Sequence, residues 1–138
     1  MKNGFSLVEV LIAIVLVALA IFSLVAANSS FTKANGAGAD LSTAEFLIEQ
    51  IRERTALADY DDLLNDFDDA NYSPPINSNG EVLNDFAAFS QQVTVENVSA
   101  SNFENVVADH SSDFIRVTVR VFLNSNEISS ASWIRAQY

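Results

Sequence analysis

The sequence predicts an α+β protein in which one long N-terminal helix, a membrane span followed by an amphipathic half, lies on a small C-terminal antiparallel β-sheet. Three observations carry this expectation. An apolar run occupies residues 5–27, apolar residues then recur at helical spacing at Leu41, Ala44, Ile48 and Ile51, and the final third alternates in the two-residue rhythm of strands.

The apolar run, FSLVEVLIAIVLVALAIFSLVAA, contains no Pro, Gly, Lys, Arg or Asp. As a helix rising about 1.5 Å per residue it reaches about 35 Å, enough to cross a hydrocarbon core of about 30 Å. A cleavable secretory signal needs a basic leader, an apolar core of about 7–15 residues and a small-residue cut site beyond it. Here only Lys2 precedes the run, the run is longer, and Gly4 lies before it. A plain anchor fits the length and leaves Glu9 unexplained. A carboxylate within a span costs at least about 2.5–3.5 kcal/mol on insertion scales and calls for a cation as partner.

Lys2-Asn3-Gly4 followed by Phe5-Ser6-Leu7-Val8-Glu9-Val10-Leu11 resembles the class III signal of type IV pilins and type II secretion pseudopilins. The resemblance is close over about the first 30 residues. It implies that residues 1–4 are a leader removed by a prepilin peptidase between Gly4 and Phe5, and that Phe5 is N-methylated. It also implies that Glu9 meets the terminal amine of a neighbouring subunit during filament assembly. The implied organisation is a span over 5–27, an amphipathic continuation over 28–56, and a connector with a β-sheet head over 57–138. The implied partners are other pilin or pseudopilin subunits, the peptidase and an inner-membrane assembly platform. The absence of Cys departs from the C-terminal disulfide loop of many type IV pilins, and no Pro appears before Pro74, where many members carry one late in the span. With its acidic connector, the chain looks more like a minor pilin or pseudopilin than an abundant fibre former.

Past the span, Asn35-Gly36-Ala37-Gly38 is the weak point of the helix, because each Gly costs about 1 kcal/mol relative to Ala. Either the helix continues to about Thr55 with a bend there, or Ser42-Thr43-Ala44-Glu45 caps a second helix. The resemblance favours one long helix. From Ala56 to Asp85 the composition turns to Asp, Asn, Ser, Pro and Gly, as expected of a long connector, with Asp61–Phe67 forming a helical turn that tucks in Leu63, Leu64 and Phe67. Gln91–Val98 alternates weakly, Phe114–Leu123 strongly, and Ile128–Tyr138 less cleanly, with Asn124-Ser125-Asn126 as a hairpin turn between the last two. Three or four strands are expected, and Asn102–Asp113 reads as a second connector.

The chain has 138 residues, a single-domain length, and a net charge of −11 from 18 acidic and 7 basic residues. Such a surface repels phosphate backbones, so direct nucleic-acid binding is not expected, and Arg116 and Arg120 are expected to pair with acidic neighbours. His110, in Ala108-Asp109-His110-Ser111-Ser112-Asp113, invites a hydrolase reading, but no nucleophile-elbow glycines surround any Ser. A solvated loop His is expected, and no cofactor is implied. Asp59, Asp61, Asp62, Asp66, Asp68 and Asp69 supply the hard oxygens that calcium takes, yet the spacing lacks the Gly and Glu of an EF-hand loop. A solvated acidic loop is preferred there, with calcium at Asp59, Asp61, Asp66, Asp68 and Asp69 as the lesser alternative. The expected function is therefore structural, a filament subunit. The alternative is a membrane-tethered binding or adhesion module that never polymerises.

Overall fold

A computed structural model describes residues 6–137. Helix α1 runs unbroken over Leu7–Leu57, followed by α2 (Tyr60–Asp66), β1 (Asn71–Tyr72), a 3₁₀ turn at Asn84–Phe86, β2 (Phe89–Ser99), β3 (Asn102–Val106), β4 (Phe114–Leu123) and β5 (Asn126–Ala136). The chain divides into two compact units, one ending at Ala39 and one beginning at Asp40.

In the first unit the described residues are all helical beyond Ser6, and every side chain is exposed. Ser23, Ser30 and Thr32 turn their hydroxyls back onto the carbonyls of Leu19, Ala26 and Asn28, which satisfies them within the helix. Gly36 and Gly38 stay helical and would meet nothing within 4 Å if given a Cβ, so neither is there for close packing. The restart at Ser42 is not seen.

In the second unit α1 buries Ala44, Leu47, Ile48 and Ile51, as the periodicity predicts. Leu41, placed on the same stripe by its spacing, is 42% exposed. The helix stripe faces a five-stranded antiparallel sheet of order β1-β2-β4-β5, with β3 paired to β2. β4 contributes Ile115, Val117, Val119 and Val121, all fully buried, and β2 contributes Val93 and Val95. Each such side chain is worth about 1.5–3 kcal/mol when taken out of water.

The connector is more ordered than its composition suggests. Leu63 of α2 and Phe67 just beyond it enter the core with Leu64 against it, as expected, and Ile76 joins the same core. β1 pairs with β2 through Tyr72↔Gln91, and Ile76 bridges Val82. Asn102–Asp113 holds a strand, β3, folded back on β2 through Val98↔Val106, where only a connector was expected. All five of its residues are exposed, so it has no buried face to make it alternate.

Candidate functional site

The sequence directs attention first to the head of α1. Gly4 and Phe5 lie outside the described residues. Ser6 precedes the first helical residue, and its Oγ accepts the N–H of Glu9 at 3.2 Å while its carbonyl accepts the N–H of Val10 at 3.2 Å. Ser6-Leu7-Val8-Glu9 is thus the first half of a capping box, with Glu9 in the first turn, where the helix dipole favours a negative charge. That role was legible in the S-x-x-E spacing and gives Glu9 a local reason to be acidic. It does not neutralise the carboxylate, which has no cation or hydrogen-bond donor among the described residues. Glu9 shares a shallow face with Val10, Ala13, Ile14, Val17 and Ala18, where the alanines leave relief between bulky neighbours. α1 contains a stretch long and apolar enough to cross a membrane, with mean hydropathy 3.1, and none of that stretch is buried within the chain.

The acidic connector is the second candidate, and its carboxylates are dispersed. Asp59 has extended backbone at the N-terminus of α2 and makes no side-chain cap, while Asp61 and Asp62 occupy the first turn of that helix. Asp66 is its last residue. Asp68, itself exposed, reaches the edge of β2, its Oδ1 accepting the N–H of Val95 at 3.0 Å, and Asp69 sits in the left-handed region at φ 55°. Among the described residues no three His, Cys, Asp or Glu side chains gather as a metal site. The calcium alternative at Asp59, Asp61, Asp66, Asp68 and Asp69 therefore has no geometry behind it.

His110 lies in a loop with φ 58°, and its Nε2 is 3.4 Å from Asp61 in an exposed contact. Its ring meets Tyr60 edge-on at 6.4 Å. The nearby hydroxyls are engaged otherwise: Ser111 Oγ donates to the Ala108 carbonyl, and Ser112 Oγ accepts the N–H of Phe114. No Ser–His pair is formed among the described residues. Arg116 pairs with Glu96 at 2.7 Å and also donates to the Phe103 carbonyl at 3.2 Å, as expected of it. Arg120 has no acidic partner among the described residues, against expectation. Its cross-strand neighbours are Gln92 and Ser130, which are neutral.

Two buried amides went unnoticed in the sequence. Gln91 is fully buried, donates from Nε2 to the carbonyls of Leu47 at 2.8 Å and Ile76 at 3.2 Å, and accepts the Ile76 N–H at 2.8 Å. It ties α1, the connector and β2 together. Asn97, equally buried, donates to Tyr60 Oη at 2.6 Å and to the Phe114 carbonyl at 3.3 Å, and accepts the N–H of His110. Both occupy inward positions of β2, which is why that strand alternates weakly in hydropathy. A polar residue at an apolar beat of a strand is the signal that could have found them.

No protein-family model, no curated protein and no solved structure matches the chain.

Proposed function

We propose that the protein is a structural subunit, not an enzyme, of a type IV pilus or related pseudopilus. In this reading it is held in the bacterial inner membrane by a single pass with its head outside the cytoplasm. It is cut after Gly4 by a prepilin peptidase, methylated on Phe5, and drawn by the assembly platform into a periplasmic or cell-surface filament. The observation that carries the reading is Glu9. It is the one acidic residue of an apolar helical stretch that the chain itself leaves uncovered, and it has no cation among the described residues. A helix N-terminus rewards a carboxylate with about 0.3–1 kcal/mol, less than the 2.5–3.5 kcal/mol or more that the membrane interior exacts. The balance is restored when a cation arrives, and in a filament the freed amine of Phe5 on a neighbouring subunit supplies it. Removing one member of such a pair leaves a buried charge, at about 3–5 kcal/mol.

The test is Glu9→Val, followed by membrane fractionation and by blots of sheared filaments from the same culture. The variant is expected to insert and be processed as the parent does while entering filaments poorly, with Glu9→Asp intermediate. Incorporation of Glu9→Val at the parental level refutes the role of Glu9. A mature chain still beginning at Met1 in cells with active peptidase removes the filament reading altogether and leaves a tethered binding module.

A further inference from the structure

The two edges of the sheet are finished differently. The outer edge of β2 is occupied along its length: β1 covers Gln91 and Gln92, the Ala70 carbonyl takes the N–H of Val93 at 2.8 Å, Asp68 takes that of Val95, and the N–H of Val107 reaches the Asn97 carbonyl at 2.9 Å. Because Val93 and Val95 point their backbone away from β4, Thr94↔Thr118 is a hydrogen-bonded pair. Alternation then makes Val119↔Ala131 a hydrogen-bonded pair of the next ladder and turns the N–H and C=O groups of Ser130, Ser132 and Ile134 outward. No bond to any of these groups is made from elsewhere in the described chain.

Natural edges of this length are blunted with Lys, Pro, an inward charge or a covering loop. β5 is 11 residues long, and Ile128–Ile134 contains no charge and no Pro. Beside this edge runs the exposed flank of α1. Glu45, Phe46, Ile48 and Glu49 from the helix, with Ser129 and Ala131 from the strand, line a groove of about 510 Å³. A free strand edge beside a helix, with an apolar floor, is the geometry used to bind a peptide by strand addition. Glu45 has no cationic partner among the described residues, and Glu49 shares only an exposed contact with Arg52.

We propose that the β5 edge and the α1 flank bind an extended segment of another protein, one that alternates apolar residues with Lys or Arg. The backbone of the segment pairs with Ser130, Ser132 and Ile134, its apolar side chains cover Phe46 and Ala131, and its cations meet Glu45 and Glu49. A second copy of this chain is the wrong occupant. Pairing β5 with β5 across a two-fold axis sets two acidic rims and two net charges of −11 against each other. Nor is a described cation of this chain placed to replace the ligand's: Arg116 and Arg120 are in the interior strand β4, Lys33, Arg52 and Arg54 are in α1, and Arg135, in β5 itself, donates to the Thr55 carbonyl of its own chain. This inference does not depend on filament assembly.

The experiment uses the full chain in detergent micelles and a fluorescein-labelled peptide alternating Val with Lys, read by anisotropy. Saturable binding is expected. It should weaken by about tenfold or more in Ser132→Pro, which removes one outward N–H without touching the β4 ladder, and by a similar factor in Glu45→Lys with Glu49→Lys. The same peptide N-methylated at alternate residues should not bind, and circular dichroism should show both variants folded. If Ser132→Pro does not fold, the N-methylated peptide decides the backbone arm alone. The proposal is overturned if the parent chain does not bind the Val-Lys peptide. Equal binding of the N-methylated peptide overturns it too, because charge alone then holds the ligand. So does a parent chain that is a dimer through β5, shown by hydrogen exchange protection at Ser130 and Ser132 without peptide.

Discussion

The two halves of α1 have the same backbone and opposite surroundings. Over residues 7–27 the helix is apolar nearly all round and every side chain is exposed, whereas from Asp40 it is apolar on one stripe, of which Ala44, Leu47, Ile48 and Ile51 are buried in the core. A helix uniformly apolar has no preferred face in water and must be covered on every side, by lipid or by other helices; an amphipathic one needs a single partner. The difference shows that helix continuity and helix stability are separate matters. One half is stabilised by its own fold, the other by whatever surrounds it.

The bluntest way to break this comparison is to remove residues 1–39. The head beginning at Asp40 is expected to keep its cooperative unfolding and near-ultraviolet circular dichroism while losing all partitioning into detergent. A head that is molten without those residues would show that the halves are not independent. A sharper version makes one substitution in both halves. Leu47→Ala deletes a side chain with no exposure and should cost about 2–5 kcal/mol in denaturant unfolding, while Leu19→Ala, 58% exposed, should leave the head's midpoint unchanged. Next in size is Gln91→Leu, which strands the Ile76 N–H and takes a donor from two buried carbonyls, for about 1–3 kcal/mol, whereas Gln92→Leu on the outer face should stay within about 0.5 kcal/mol. The smallest effect is expected of Arg116→Ala. Its pair with Glu96 is partly open to solvent and should contribute no more than about 1 kcal/mol, declining as salt is raised.

What could be read from the chain follows the same division. The long apolar helix was legible because its run of apolar residues is unbroken by Gly or Pro, and β4 was legible because its four fully buried residues are all β-branched. β2 was only half legible, since Gln91 and Asn97 stand where apolar residues were awaited, and what satisfies them comes from Leu47, Tyr60 and Ile76, which no spacing links to them. β3 was not legible at all, for a strand with every side chain in water follows no hydropathy rule. At the candidate site the carboxylate of Glu9 was conspicuous by composition. The bond from the Glu9 backbone N–H to Ser6 was equally available from spacing, and the dispersal of the Asp side chains was not, because it depends on where α2 ends and on the contact of Asp68 with Val95.

The cross-links between α1 and the sheet also have a mechanical meaning. Gln91 holds the Leu47 carbonyl, Arg135 donates to the Thr55 carbonyl, and Arg52 stacks over Trp133 at 5.3 Å, so the helix is fastened at points spread over about 12 Å of its buried stretch. Ser129–Ala131 borders the earlier turns and Arg135 the last, which means that α1 and β5 run in the same direction. A pull along the helix axis therefore loads these fastenings side by side in shear and not one after another as in peeling. Force applied through the helix is thus divided among the attachments, which yield together.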